Sequence, residues 1–156
     1  MTTPEHPHQK VHSFLRQHHM GILSTVSTEG KPWGSAIYFV ADEQFTFYFV
    51  TRAETYKFQN LEANPYVALT IADPDSQTTV QLAGKISPLP YEDYLDVVFR
   101  RMTKIRPAHD HQWMPPIDKL RAGNYMPLVI TPEKLQYADY SHTKADSHAD
   151  YIEHIL

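Results

Sequence analysis

The chain has 156 residues, the size of one ordinary domain, which can bury a core without help from disulfides or metal. It has no cysteine, so a disulfide scaffold, a thiol nucleophile, an iron–sulfur cluster and a cysteine zinc site are excluded. The formal net charge of -4 argues against a nucleic-acid partner, since such domains are normally basic. No apolar run approaches the roughly 20 residues of a membrane span, and residues 1–10 are polar. We therefore expect a cytoplasmic protein without a membrane partner.

The first third of the chain predicts one helix followed by three strands. Over residues 9–19, apolar side chains recur at helical spacing, and Gly21 ends the pattern. Three β-forming segments follow, separated only by short turns, at residues 22–26, 33–41 and 45–51. Such spacing is typical of an antiparallel meander.

The remainder predicts two helices and three or four more strands. A short helix is predicted over 55–63, and a longer one over 91–105. The strands are predicted at 66–72, 78–86, 126–131 and, less regularly, 135–140. After Ser141 the chain is polar and acidic, which indicates a frayed tail or a short terminal helix.

These elements predict an α+β fold, because several strands follow one another without intervening helices. A closed or half-closed antiparallel β-barrel of six to seven strands, with peripheral helices, fits their number and spacing. We predict one domain over 1–156, with a core of about 10–140 and a C-terminal tail over 141–156.

One segment predicts an anion site. Thr51 and Arg52 end a predicted strand, and Thr55, Tyr56 and Lys57 begin a helix. The first turn of a helix offers unpaired backbone N–H groups and a positive dipole, and the hydroxyl, ammonium and guanidinium groups here would complete a phosphate cradle. The alternative is that Thr55 only caps the helix and that Lys57 is only a solvated helix residue.

The order of short motifs between Gly21 and Ser87 resembles the pyridoxamine 5'-phosphate oxidase-like superfamily of FMN-binding split barrels. The resemblance covers nearly half of the chain, and its most specific part is the segment 51–65. The motifs are GILSTV (21–26), EGKP (29–32), IYFV (37–40), FYFVTR (47–52), TYKFQNL (55–61), NPYVAL (64–69) and VQLAG (80–84).

The resemblance implies a split barrel that binds FMN non-covalently at the interface of a homodimer. In this family the flavin ring lies over the strand equivalent to 35–39, polar side chains of a later strand reach the phosphate or ring, and a C-terminal loop approaches the other subunit's flavin. The implied cofactor-binding residues are Ser35, Ala36, Ile37, Tyr38, Thr51, Arg52, Thr55, Tyr56, Lys57, Thr79, Gln81 and Trp113.

Simpler readings stay open for some of these residues. The small side chains of residues 34–36 also suit barrel curvature, and Thr79 and Gln81 also fit an ordinary solvent face. Trp113 also fits a plug at the end of the barrel. The five aromatic residues Trp33, Tyr38, Phe45, Phe47 and Phe49 exceed what a small barrel needs inside, so part of this set is expected to form the two-fold interface.

The expected function is an FMN-dependent oxidoreductase acting on a small molecule that the sequence does not identify. No side chain is a convincing acid or base, although Tyr38, Tyr56 and His109 are candidates. The family's true oxidases carry a basic pair around the second strand where this chain has Ser35 and Val40, so oxidation of vitamin B6 phosphates is not expected. The alternatives are a deazaflavin-dependent reductase and a non-catalytic flavin- or haem-binding protein, although haem-binding relatives tend to have histidine at the position of Lys57.

Ten histidines raise the question of a metal site. The pairs His6/His8 and His109/His111 have His-x-His spacing, but both lie in proline-bearing segments without a carboxylate cluster. We expect no bound metal. Arg100, Arg101 and Lys104 form a basic helix face, which is either solvated or guides an anionic ligand.

Overall fold

The fold is taken from a computed structural model that describes residues 6–93, 98–105, 124–141 and 151–156. In these ranges the elements run, in chain order, as α1 (Pro7–Gln17), β1 (Met20–Val26), β2 (Pro32–Ala41), β3 (Phe47–Arg52), α2 (Tyr56–Ala63), β4 (Tyr66–Asp73), β5 (Thr78–Pro88), α3 (Tyr91–Asp93), α4 (Arg100–Met102), β6 (Tyr125–Asp139) and β7 (Ile152–His154).

The strands form a closed antiparallel barrel with one strand outside it. Within the described residues the order is β3-β2-β1-β4-β5-β6-β7, and β6 also pairs with β3. That additional pairing closes a ring of six strands and leaves β7 at the edge of β6. The predicted α+β barrel with peripheral helices is confirmed.

The barrel closes because alternate residues of each strand are apolar and point inward. On β4, for example, Val67, Leu69 and Ile71 are buried while Ala68 and Ala72 are exposed. Phe47 and Phe49 of β3 are completely buried, and Phe45 is 3% exposed. These three phenylalanines are therefore core residues, which leaves Trp33 and Tyr38 as the members of the aromatic set that are available to a surface between subunits.

β6 is a single strand of 15 residues, so the prediction of two separate strands over 126–131 and 135–140 is wrong. Its continuity depends on a bulge, where the pairing moves from Ala83↔Lys134 to Gly84↔Pro132 and leaves Glu133 without a partner. Proline at a bulge removes no ladder hydrogen bond. The proline therefore bends the strand without ending it.

The C-terminal residues also differ from the prediction, which was a frayed tail or a short helix. Ile152–His154 instead forms β7, paired with Gln136–Ala138 of β6. Beyond it, the Ile155 N–H donates to the Leu135 carbonyl at 2.8 Å, and the Ile155 side chain is 9% exposed. The second half of β6 lies beyond the end of β3, and the tail satisfies the backbone groups that are left unpaired there.

The described helices bury the apolar residues predicted to face the core, and α1 and α2 begin or end within two residues of the predicted positions. α1 begins at Pro7 with His6 as N-cap and buries Val11, Phe14 and Leu15. α2 is fixed to the barrel by a buried hydrogen bond in which Asn60 Nδ2 donates to Thr25 Oγ1 at 3.0 Å. Of the helix predicted over 91–105, the described parts are α3 and α4, and Val98, Met102 and Ile105 are buried as expected. None of the described helices is long and apolar enough to cross a membrane.

Candidate functional site

The N-terminus of α2 lies directly after β3, as the sequence predicted. Thr55 is the N-cap, and its Oγ1 accepts a hydrogen bond from the Phe58 N–H at 3.3 Å. The same hydroxyl donates to the Arg52 carbonyl at 2.8 Å and lies 3.1 Å from Thr51 Oγ1. The proton of Thr55 is therefore already used, so this residue shapes the turn. The first-turn N–H groups of Tyr56 and Lys57 have no acceptor in the described part of the chain, so they remain as donors for an anion.

Two cations stand beside this turn. Lys57 is half-buried, and burial lowers its pKa because its charged form loses water. No carboxylate in the described part of the chain forms an ion pair with Lys57 to compensate. Arg52 is more exposed, and its Nε lies 3.4 Å from Glu54 Oε2. An exposed pair of this kind is worth little, so the guanidinium is available to a stronger anion.

A cleft of about 240 Å³ lies against these groups. It brings β2, β3, the start of α2 and α4 together, and it unites most of the residues predicted for the cofactor. Two lining residues, Val50 and Met102, were not predicted, because an apolar side chain in a strand or helix carries no signal for a ligand. The lining residues are Ala36, Ile37, Tyr38, Val50, Thr51, Arg52, Thr55, Lys57 and Met102.

Ser35 and Tyr56, both predicted to contact the cofactor, do not line this cleft. Ser35 is adjacent to Ala36 on β2 and is half-buried. Tyr56 is 67% exposed, and its ring stacks on Trp33 with centroids 5.4 Å apart. The two rings form an exposed aromatic pair next to the cation-bearing turn.

Thr79 and Gln81 lie elsewhere on the barrel. The cross-strand register runs from Ala36 to Ile22, Thr70 and then Gln81, so Gln81 is three strands from the cleft. At about 4.8 Å per strand this is roughly 14 Å. Gln81 instead accepts a hydrogen bond from Gln136 Nε2 at 2.6 Å. Within one chain Thr79 and Gln81 are therefore separate from Arg52 and Lys57. Trp113 lies outside the described residues.

The face that carries Ala36 and Gln81 is an outer surface of β2, β1, β4 and β5, and Lys85 near the end of β5 is the one charged residue on it among those described. Met20 is 54% exposed on this face and Ile22 is 47% exposed. Large exposed apolar patches occur at protein–protein interaction sites, so this surface is a candidate interface. Its other members are Ser24, Gly34, Tyr38, Ala68, Thr70, Ala72, Thr79 and Ala83.

Several of the described histidines have structural partners. His6 caps α1, and His12 stacks on Phe45 with ring centroids 4.4 Å apart. His18 Nδ1 lies 2.9 Å from the Phe14 carbonyl, and its Nε2 lies 3.4 Å from Asp73 Oδ2. Among the described residues, no three histidine, aspartate or glutamate side chains gather as metal ligands. The pair His109/His111 lies outside those residues.

The sequence model of the pyridoxamine 5'-phosphate oxidase family matches residues 7–139, which include nearly all of the barrel. The chain therefore belongs to this family. Among curated proteins, none matches the sequence.

Solved structures of several kinds share the fold. An FMN-binding protein related to pyridoxamine 5'-phosphate oxidase, from Nostoc punctiforme PCC 73102, superposes with a TM-score of 0.65 at 12% identity, covering 99% of this chain and 100% of its own. The haem storage protein HutZ from Vibrio cholerae gives 0.66 at 18% identity, covering 84% and 94%. An F420 reductase gives 0.57 at 28% identity, covering 85% and 98%. The first two likenesses show the fold alone.

Proposed function

We propose that this chain binds FMN in the cleft beside α2 and acts as a homodimeric FMN-dependent oxidoreductase. The observation that carries the proposal is the environment of Lys57. This cation is half-buried, and burial lowers its pKa. It has no ion-pair partner among the described residues. Burying a charge without a partner is unfavourable. A bound phosphate would supply the missing negative charge and make the arrangement favourable.

The residues present fit the phosphate end of a mononucleotide. Lys57, Arg52 and the first-turn N–H groups of α2 offer charge-assisted hydrogen bonds, which contribute roughly 1.5–3 kcal/mol each. The cleft of about 240 Å³ is small for a whole mononucleotide, since ligand sites usually have about 300–1,000 Å³. The ring would therefore extend over the exposed backbone at Ala36, where a second subunit would supply the other wall.

A two-fold dimer through this outer surface of β2, β1, β4 and β5 would meet this need. A two-fold interface uses the same surface patch on both subunits, so residues that are distant within one chain can lie close together across the interface. Thr79 and Gln81 lie on that surface, three strands from the cleft. Contacts from the partner's copies of these residues would reconcile their position with a role in binding the flavin.

The dimer is tested by introducing a charge at the centre of that surface. Ile22→Glu should convert the protein to a monomer in light scattering, because the carboxylate would be buried without a partner. Gln44→Glu, in the exposed turn after β2, is the matched control and should leave a dimer that buries more than about 1,000 Å². A wild-type protein that is monomeric at micromolar concentration with FMN bound would refute this interface.

The reaction would be hydride or electron transfer, which FMN supplies when it is bound. The chain's own residues would bind the phosphate and hold the ring against β2. Tyr38 lines the cleft and is the described side chain best placed to face a substrate, whereas the Tyr56 hydroxyl belongs to the exposed aromatic pair. We propose a small organic molecule as substrate.

Titration of the purified apoprotein with FMN tests the cofactor directly. Lys57→Ala should weaken FMN binding at least tenfold, because it removes a charged partner at a helix N-terminus. Lys31→Ala is the matched control, since Lys31 is an exposed turn residue paired with Glu29 at 2.6 Å. Equal FMN affinity in the two variants would contradict the assignment of the phosphate site.

A second candidate is a reductase that uses the deazaflavin F420. It is favoured by the 28% identity with an F420 reductase over 85% of this chain. The same titration with F420 in place of FMN separates the two, and a Soret band in the purified protein would indicate haem instead. Tighter binding of F420 than of FMN would replace the leading proposal.

A further inference from the structure

A second cleft, of about 350 Å³, lies next to α1. It is bounded by α1, by the turn after β2 and by the residues around α4. It shares no lining residue with the cleft beside α2. Its lining residues are His12, Leu15, Arg16, His19, Val40, Ala41, Asp42, Glu43, Arg101, Lys104 and Ile105.

Three cations line this cleft, and in the described ranges none of them forms an ion pair. Arg16 Nη2 donates to Ser13 Oγ at 3.3 Å, and Arg101 Nη1 donates to the Ala41 carbonyl at 3.4 Å. A guanidinium has five N–H donors, so each of these arginines keeps most of its hydrogen-bonding capacity. Lys104 adds a third positive charge.

The carboxylate of Asp42, which lines the cleft, is held by hydrogen bonds within the turn after β2. Asp42 Oδ1 accepts from the Gln44 and Thr46 N–H groups, each at 2.9 Å, and Asp42 Oδ2 accepts from the Tyr48 hydroxyl at 2.9 Å. These hydrogen bonds come from neutral donors, so they hold the carboxylate in place and leave its negative charge. Glu43, the other acid of the cleft, is exposed to solvent. The cleft therefore holds three cations against two carboxylates, which leaves an excess of one positive charge with histidine neutral, and none of the cations is paired with either acid.

The inner wall of the cleft is apolar and contains an unsatisfied polar atom. Leu15, Val40 and Ile105 are each less than 8% exposed and form an apolar surface beneath the cations. His19 also lines the cleft, and its Nδ1 is buried with no hydrogen-bond partner in the described part of the molecule. An apolar wall with a few convergent polar groups is the usual construction of a small-molecule site.

We propose that this cleft binds a phosphate monoester whose organic group is apolar. A phosphate carries close to two negative charges at neutral pH, so a phosphate ligand pairs with several cations better than a ligand with a single carboxylate does. Arginine side chains suit it because the guanidinium fork bonds two phosphate oxygens at once. The apolar wall selects a ligand with an apolar group over free phosphate. The site is independent of the FMN cleft.

Calorimetric titration with phenyl phosphate tests the site. We expect saturable binding to the wild-type protein that is retained in FMN-loaded protein and in Lys57→Ala. We expect at least tenfold weaker binding in the double variant Arg16→Gln/Arg101→Gln. Inorganic phosphate and benzoate, which lack the apolar group and the second charge respectively, should each bind more weakly than phenyl phosphate.

Absence of saturable binding, equal affinity in the double variant or loss of binding in Lys57→Ala would overturn the proposal. Nuclear magnetic resonance of the wild-type protein provides a second test that does not depend on the folding of the double variant. Phenyl phosphate should shift the ring resonances of His12, assigned through His12→Gln, and should leave those of His154 on β7 unchanged. A shift confined to His154 would also overturn the proposal.

Discussion

Gly84→Ala should destabilise the protein by about 3 kcal/mol, in the upper part of the range for overpacking. A Cβ at this position would clash with the Thr131 carbonyl oxygen and would lie 2.9 Å from Pro132 Cα. Both are backbone atoms of β6, and neither can rotate away. Glycine is required at this point because the bulge brings β6 closest to β5 there.

Denaturant unfolding of Gly84→Ala beside wild type measures this loss. Gly34→Ala makes the same change within a strand, but its Cβ would meet only the Ile22 Cγ2 methyl at 3.4 Å, which is an ordinary contact. We expect Gly34→Ala to stay within about 1 kcal/mol of wild type. Equal unfolding midpoints for the two variants would show that the bulge is not closely packed.

We also expect no useful oxidation of pyridoxine or pyridoxamine phosphate, although the chain belongs to the family named after that reaction. Such a substrate brings a second phosphate. Arg52 and Lys57, the cations that line the cleft beside α2, are assigned to the phosphate of FMN. At the positions where the family's oxidases carry a basic pair, this chain has Ser35 and the buried Val40. Arg101 and Lys104 line the other cleft, together with Val40, and not the cleft beside α2.

The expected loss in binding of pyridoxine or pyridoxamine phosphate follows from the two contacts that the missing basic pair would make. Losing two charge-assisted hydrogen bonds of roughly 1.5–3 kcal/mol each corresponds to about two to four orders of magnitude in binding. Steady-state assays of pyridoxal phosphate formation under air, with FMN-saturated protein, measure it. Turnover with a micromolar KM would show that other groups hold the second phosphate.

The strands, their order along the chain and the turn from β3 into α2 could be predicted because their signals are local. Period-two alternation places Val67, Leu69 and Ile71 inside the barrel. The turn depends on a strand end followed within a few residues by a helix start, and the segment from Thr51 to Lys57 contains both. Capping and hairpin signals operate over the same short range.

Features that depend on pairing between distant strands could not be predicted. Pro132 signals a strand end in isolation, and only the bulge opposite Gly84 shows that β6 continues through it. The C-terminal residues have little β signal, and they form β7 because β6 offers an unpaired edge. Gln81 and Ala36 alternate onto the same face, but only the register shows that three strands separate them. The cleft around Arg16 and Arg101 likewise joins segments far apart in the sequence.

The pairing that closes the barrel has a consequence for how the chain folds. Phe47 of β3 pairs with Ile130 of β6, roughly 80 residues away along the chain, whereas β2, β3 and α2 are consecutive. Long-range pairing has an entropic cost before it yields any contact, so we expect closure by β6 to be completed late, after the rate-limiting barrier of folding. Contacts made after the rate-limiting barrier influence unfolding more than folding. The main kinetic effect of Gly84→Ala should therefore be faster unfolding of the barrel.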